Sequence, residues 1–239
     1  MQVKPFWRAA VCLLLTSACR GDDHATEPPV IDDVGCTVEV QPSNAIPLFQ
    51  RPFVGEYPLS DYFDHDLPFP SPSEFDNGFL LTFCGSRVRG HDGHSGYDWL
   101  MPVGTPLYAG ASGVVRVAGQ TQASYCAALG QNVSALVVKI RHVTPNGRPV
   151  ESFYVHLDRV DVLAGQAVEA GQQIGLSGNT GCSVLPHLHF AFAVNVDGDR
   201  AEVDPYGWQP DFPDPWARHS QGAPSVWMWK EGEAPSLTR

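Results

Sequence analysis

The stretch that decides the fold is ALVVKIRHVTPNGRPVESFYVHL, residues 135–157. Two runs rich in β-branched and aromatic residues flank a short segment that contains Pro145 and the pair Asn146-Gly147. An Asn-Gly pair between two such runs is a strong signal for a β-hairpin. We therefore predict two antiparallel strands joined by a turn at TPNGRP, residues 144–149.

The same alternation of apolar runs and turn residues continues on both sides of this hairpin, between Gly93 and Pro205. Short apolar runs, such as GTPLYAGASGVVRVAG, AGQAVEAGQQIGLSG and HLHFAFAVNV, alternate with Gly, Pro and Asn turns. The chain contains 23 Gly and 21 Pro, and no amphipathic helical repeat is visible after Cys36. This pattern predicts an all-β fold built as an antiparallel meander.

The N-terminal end is typical of an exported protein. Residues 1–18 combine two basic residues with a short apolar stretch, Ala9–Leu15, as secretory signals do. This stretch is far below the roughly 20 residues that span a bilayer. The small residues directly before Cys19 are similar to a bacterial lipoprotein signal, which implies a lipid on the Cys19 thiol. Ordinary cleavage without a lipid is the alternative, and we expect membrane contact only through this anchor.

The rest of the chain divides by composition. An acidic segment with two prolines predicts a disordered tether, and a Trp- and Pro-rich tail carries Trp227 and Trp229 two residues apart, on one face if extended. We expect this tail to pack back on the central domain, and we interpret Tyr125–Ser134 as a loop insertion. The predicted divisions are a signal peptide (1–18), a tether (19–35), an irregular lead-in with short strands (36–89), a central β domain (90–208) and the tail (209–239).

Charge and cysteine content exclude some classes of partner and chemistry. The formal charge is -11 and no cluster of Lys or Arg follows residue 20, so we do not expect nucleic-acid binding. Four cysteines remain after the predicted export segment, at positions 36, 84, 126 and 182. An even count in an oxidising compartment predicts two disulfides, and three pairings are possible.

The histidines suggest a metal site. A strand through HLHF places His187 and His189 on one face. His94 and Asp98 would lie about 13 Å apart on a straight strand, so the chain must bend, and Gly93 and Gly96 supply permissive backbone for a bend.

Catalytic zinc typically takes three nitrogen or oxygen ligands and leaves the fourth position to water. His94, Asp98 and one HLH histidine would supply that set, which leaves the other and His156 to handle protons. Taken singly, each motif also fits a structural histidine. We interpret His91 as a surface turn residue and His24, His65, His142 and His219 as structural.

Three motifs together resemble a known family: HSGYD followed by PVGTPLYAGASGVV, then FYVHLDRV, then AGQQIGLSGNTGCSVLPHLHF. From about Gly90 to Trp208 the chain resembles the lysostaphin/LytM-type zinc endopeptidases, which cut peptide bonds in bacterial peptidoglycan. The resemblance implies a split-barrel or β-sandwich-like catalytic domain. The sequence departs from the family pattern at Ala191, where an acidic residue often follows HLHF, and at SVL (183–185).

The resemblance also assigns roles to residues. It implies one zinc ion bound by His94, Asp98 and His189, with His156 and His187 as the catalytic pair. We assign His187 as the general base and His156 to oxyanion stabilisation or shared proton transfer, and the division of these roles between the two stays open. The sequence order of the cysteines and the same resemblance favour the disulfides Cys36–Cys84 and Cys126–Cys182.

Several functions stay open at this point. The implied bond is D-alanyl to diaminopimelate in stem-peptide cross-links, which we favour for an envelope-held enzyme, or a bond in a glycine-containing bridge. A catalytically silent regulator or cell-wall-binding protein of the envelope is the main alternative. A secreted protease acting on glycine-rich proteins would use the same chemistry. A lipoyl-type carrier is disfavoured, because no lysine stands at a hairpin tip of VEAGQQIG.

Overall fold

The computed structural model describes Cys36, Val38 and residues 45–66, 78–196 and 199–239. The predicted signal peptide (1–18), Cys19, the tether (19–35) and His24 lie outside the described residues. Within the described ranges, no helix is both long and apolar enough to cross a membrane.

Strands dominate the described part of the chain, with one short helix near its end. They are β1 (Leu59–Asp61), β2 (Phe79–Leu81), β3 (Arg87–Arg89), β4 (Tyr97–Leu100), β5 (Pro106–Tyr108), β6 (Gly113–Gln120), β7 (Ser124–Cys126), β8 (Gln131–Val133), β9 (Leu136–Val143), β10 (Pro149–Leu157), β11 (Arg159–Val160), β12 (Ala167–Val168), β13 (Gln173–Leu176), β14 (His187–Val196), β15 (Asp199–Val203) and α1 (Pro215–Arg218).

One large antiparallel sheet carries the fold. Its strand order is β1-β4-β14-β10-β9-β6-β12, and β15 also pairs with β14. Strand β14 is ten residues long, so β4 pairs with its first half and β15 with its second half along the same edge. The predicted all-β antiparallel class is confirmed.

The central hairpin forms where the sequence predicts it. Strands β9 and β10 pair in antiparallel register, and buried residues alternate along both, so each strand contributes one face to the core. Gly147 supplies the left-handed residue of the connecting turn, with φ of 80°, and its N–H donates to the carbonyl of Thr144. The Thr144 hydroxyl closes the turn by accepting from the N–H of Arg148.

Smaller sheets and two disulfides complete the framework. A second sheet has the order β11-β13-β5, and β2-β3 and β7-β8 are separate hairpins. The segment 125–134, interpreted as a loop insertion, contains the β7-β8 hairpin. Both predicted disulfides, Cys36–Cys84 and Cys126–Cys182, are confirmed. The second joins this hairpin to the loop before β14.

Both flanks of the central domain contribute to the core. Lead-in strand β1 pairs with β4 at one edge of the large sheet, and Phe49 is fully buried. Trp227 and Trp229 are buried as well, with Trp229 packed 5.8 Å from the ring of Phe192 and 5.6 Å from that of Tyr206. The large sheet is therefore covered by chain from before and after it.

Candidate metal centre and active site

A turn and a strand position the first two candidate ligands. His94 precedes β4, and its N–H donates to the carbonyl of His91 across a turn in which Gly93 has φ of 78°. Only a residue that tolerates positive φ fits this position without strain. Asp98 follows on β4. The turn at Gly93 leads into His94, and the bend that the spacing requires lies at Gly96, between His94 and β4.

Gly96 lies at the bend between His94 and Asp98, as expected. Its φ is not positive, and the reason for glycine here is space. A Cβ at this position would lie 2.7 Å from the carbonyl oxygen of Phe190 and 2.9 Å from the ring of His189. The absence of a side chain lets the segment approach β14 closely.

Sheet register brings the third candidate ligand beside Asp98. His189 on β14 is the direct cross-strand partner of Asp98 on β4, and His187 is the partner of Leu100. Directly opposed residues of an antiparallel pair lie on the same face. The pairing of these two strands therefore places His187, His189 and Asp98 together.

Three side-chain atoms that could bind a metal ion converge at this point, and we call them the donor cluster. Nε2 of His94 lies 3.0 Å from Nδ1 of His189 and 3.2 Å from Oδ1 of Asp98, and the last two atoms lie 2.9 Å apart. Donors bound tetrahedrally to zinc at about 2.0–2.1 Å lie roughly 3.3 Å from each other. The three atoms thus have nearly the spacing that one zinc ion requires.

Hydrogen bonding orients His94 as a ligand. Its Nδ1–H donates to the carbonyl oxygen of Tyr62 at 2.8 Å, which directs Nε2 at Asp98 and His189. Metal-binding histidines commonly donate their other ring N–H to a carbonyl or carboxylate in this way.

The electrostatics of the three residues are strongly coupled. Burial disfavours the charged imidazole, but the Asp98 carboxylate outweighs it and raises the pKa of His94 to about 9. Burial alone would raise the pKa of Asp98, yet His94 and His189 hold it well below its usual range. Burial lowers the pKa of His189. A metal must displace the proton of His94, so metal affinity should fall in acid.

The side chain of His156 lies beside His187 and His189 because strand β10 is distorted at this residue. In a regular strand its side chain would point to the side of Tyr154, which is in the core. Strand β10 instead has one extra residue between Tyr154 and Leu157 relative to β9. His156 has φ of 67°, the only positive φ of a non-glycine residue in the described ranges. Such a bulge redirects a side chain, and backbone strain of this kind clusters at functional sites.

The loop before β14 holds both remaining histidines by backbone carbonyls. Nδ1–H of His156 donates to Thr180 at 2.7 Å, and Nδ1–H of His187 donates to Leu185 at 2.8 Å. The two rings lie 4.6 Å apart, and Nε2 of His187 lies 3.4 Å from Oδ2 of Asp98. Burial and the neighbouring His187 lower the pKa of His156 to about 4. His156 is therefore neutral at pH 7, with an Nε2 lone pair available.

Comparison with known proteins identifies the family to which the chain belongs. The family described as Peptidase family M23 matches residues 92–205. The chain belongs to this family. The described motif residues His94, Asp98, His156, His187 and His189 all lie inside the M23 match.

The M23 relatives include proteins named for action on peptidoglycan. The chain is 40% identical over 103 residues to an uncharacterized metalloprotease of Haemophilus influenzae, 43% of this chain and 19% of that one. It is 38% identical over 101 residues to the peptidoglycan DD-endopeptidase ShyA of Vibrio cholerae, 42% and 20% of the two chains. It is 37% identical over 112 residues to lysostaphin of Staphylococcus simulans, 47% and 20%.

Among solved structures, the catalytic domain of lysostaphin from Staphylococcus simulans is 31% identical, covering 59% of this chain and 82% of that one, with a TM-score of 0.39. The M23 chain spans about a fifth of the length of the three curated relatives.

Sequence reasoning missed the residues that hold the M23 histidines. Thr180 binds His156 through its carbonyl, while its hydroxyl donates to Leu157 and accepts from the N–H of Leu136. The Ser183 hydroxyl lies 3.2 Å from Nδ1 of His187. No periodicity marks these residues, and only Cys182 between them indicated that this loop is constrained.

The remaining described histidines contribute no atom to the donor cluster. His91 is exposed and stacks on His94 with 6.1 Å between ring centroids. His65 is buried between Asp204 and Asp214. His142 is buried between the carbonyl of Ser112 and the hydroxyl of Ser152. His219 follows α1.

A second group of carboxylates, Asp64, Asp66 and Asp92, is close enough to hold a cation. Asp64 already accepts three backbone N–H groups, from Leu81, Asp66 and Gly93. These bonds account for its burial without an ion.

Proposed function

We propose that the chain is a zinc-dependent endopeptidase that hydrolyses peptide cross-links of bacterial peptidoglycan. The observation that carries the proposal is the convergence of His94 Nε2, Asp98 Oδ1 and His189 Nδ1 beside two further histidines with available Nε2 atoms. Membership of a peptidase family and relatives named as peptidoglycan endopeptidases support it.

The donor set suits one zinc ion. Two imidazole nitrogens and one carboxylate oxygen match the three-ligand pattern of catalytic zinc sites, and Asp98 supplies a negative charge to balance the dication. When bound, zinc polarises a scissile carbonyl and lowers the pKa of water to about 7.

The chain's own residues then handle protons and charge. We assign His187 as the general base, because its Nδ1–H is fixed on the carbonyl of Leu185 and its Nε2 faces the donor cluster. Asp98 Oδ2, 3.4 Å away, stabilises the imidazolium that forms. The ring of His156 contacts that of His187. His156 either shares the proton that His187 accepts or, once protonated itself, stabilises developing negative charge.

Exposed apolar side chains near His187 in the chain support a stem-peptide bond over a glycine bridge. Val184 and Leu185 are 64% and 59% exposed and lie three and two residues before His187. Exposed apolar side chains beside a reaction site suit the methyl group of an alanyl residue, which glycine lacks. We therefore propose cleavage of D-alanyl cross-links.

Digestion of purified peptidoglycan sacculi tests this function. Residues 36–239 are incubated with zinc and sacculi, and the products are identified by mass spectrometry. His94→Ala should abolish product formation, whereas His91→Ala, which removes an exposed ring three residues away, should preserve it. Products cut only at glycine bridges would contradict the proposed bond. No cleavage by a chain that binds one zinc would favour the silent regulator.

We also propose that the chain is exported, that Cys19 carries a lipid anchor, and that the chain divides into the segments 1–18, 19–35, 36–89, 90–208 and 209–239. A Cys19→Ser variant should move from the membrane to the soluble fraction of the envelope if Cys19 carries a lipid. An unchanged membrane fraction would exclude this anchor.

A further inference from the structure

A segment upstream of the family match lies behind the metal centre. Residues 62–65 follow β1 and precede the M23 match, which begins at residue 92. The Tyr62 carbonyl accepts from Nδ1–H of His94, and the carbonyl of His94 accepts from the N–H of Asp64, both at 2.8 Å. His94 is thus held at its ring and at its backbone by the same short segment.

The Asp64 side chain closes the turn that presents His94. Its Oδ2 accepts from the N–H of Gly93 at 2.8 Å, and its Oδ1 accepts from the N–H of Leu81 at 2.9 Å. Asp64 is fully buried. A buried carboxyl group that accepts several backbone N–H groups restrains the segments that donate them. Asp64 therefore ties the turn before β4 to strand β2.

The segment is anchored on its other side by the C-terminal tail. The ring of His65 bridges Asp204 at 3.0 Å and Asp214 at 2.9 Å. The Phe63 ring packs 6.3 Å from that of Trp216 in α1. Because it is bound on both sides, the segment is a rigid support for the turn in front of it.

We propose that Asp64 is a positioning residue for the metal ligand His94, and that residues 62–65 form an outer part of the metal centre. The inference rests on the zinc site of the proposed function. Without Asp64, the N–H of Gly93 loses its acceptor and the turn relaxes, so Nε2 of His94 moves away from the other two donors. Replacing residues that support metal ligands typically costs 10–100-fold in metal affinity.

Metal binding by the purified chain, 36–239, tests this inference without reference to activity. Zinc dissociation constants are measured by chelator competition for the wild type, Asp64→Ala and Asp64→Asn. The matched control is Val168→Ala, a buried truncation on β12 at the opposite edge of the large sheet from β4. Cobalt absorption spectra of the same proteins report the coordination geometry.

We expect Asp64→Ala to weaken zinc binding about tenfold and to alter the cobalt spectrum. Asp64→Asn should have a smaller effect of the same sign, because one backbone N–H then faces an amide NH₂. Val168→Ala should lower the melting temperature and leave both readouts unchanged.

Wild-type affinity in Asp64→Ala overturns the inference, as does an equal loss in Val168→Ala. If Asp64→Ala does not fold, unchanged zinc affinity in Asp64→Asn overturns it. A wild-type chain that binds no zinc contradicts the proposed function and this inference together.

Discussion

Single residues with unusual surroundings mark the candidate functional face of this protein. His156 tolerates a positive φ because Thr180 binds its ring through a carbonyl and the following carbonyl through a hydroxyl. The histidine identities could be predicted from the motifs. The bulge at His156 and its clamp could not, because both depend on contacts between residues about 24 positions apart.

Thr180→Val should impair turnover more than metal binding. The valine keeps the side-chain shape but removes the hydroxyl that bonds Leu157 and Leu136, so the bulge loosens and His156 is misplaced. We expect kcat to fall about tenfold while zinc affinity stays within twofold. Thr121→Val, which removes a similar bond to Ala135, is the control. Equal effects of the two variants on kcat would contradict the clamp.

His142 should make stability sensitive to acid. Burial lowers its pKa to about 4 from an ordinary value of 6.5. The unfolded chain then binds a proton between these values that the folded chain does not, so stability is lost as pH falls from about 6.5 to about 4. A shift of this size corresponds to about 3 kcal/mol.

The check on this pH dependence is His142→Asn. Its amide can still donate to the carbonyl of Ser112 but does not titrate. Its unfolding free energy, measured by urea denaturation across this pH range, should be lower overall and should lose that acid-dependent slope. Parallel curves for variant and wild type would rule out His142 as the source.

At the level of elements, strand pairing assembles the site. The HLHF pattern predicted that His187 and His189 share a face, and in the sheet both side chains lie on the same face of β14. The register that sets His189 opposite Asp98 was not predictable, because β4 and β14 are about 90 residues apart and no local signal specifies which strands pair. The Asn-Gly hairpin, by contrast, is local, and its strands could be predicted.

Gly96→Ala should separate these two strands. The added Cβ would lie 2.7 Å from a backbone carbonyl oxygen of β14, which no side-chain rotation can relieve. We expect zinc affinity to fall more than tenfold. Gly104→Ala introduces strain at φ of 90° where space is open, so it should cost about 1–2 kcal/mol of stability and leave zinc affinity unchanged. Wild-type zinc binding by Gly96→Ala would contradict the close approach.

At the scale of the whole molecule, the M23 match is smaller than the structure that supports it. Sequence similarity delimits residues 92–205, and the predicted domain was 90–208. Chain outside those limits supplies β1, the carbonyl that orients His94, and buried residues on both sides. Motif spacing could not reveal these contributions, because the contacts are made between segments far apart in sequence.

A chain of residues 90–208 should therefore fail to fold cooperatively. It lacks many large buried side chains, including Phe49, Phe53, Tyr62, Phe63, Phe83, Trp216, Trp227, Met228 and Trp229. Burying each contributes about 1.5–3 kcal/mol, so together they equal or exceed the roughly 5–15 kcal/mol of net stability of a typical protein. Circular dichroism during heating should show a sharp transition for residues 36–239. A comparable transition in the short chain would contradict this division of the core.

We propose that one zinc ion, bound by His94, Asp98 and His189, is required for cleavage. Its most direct test is to strip the chain 36–239 of metal, add zinc in steps, and follow release of peptide products from sacculi. We expect activity to rise linearly to a plateau at one zinc per chain, and no activity in His94→Ala at any zinc concentration. Cleavage that does not depend on zinc, or that needs a second ion for activity, would contradict it.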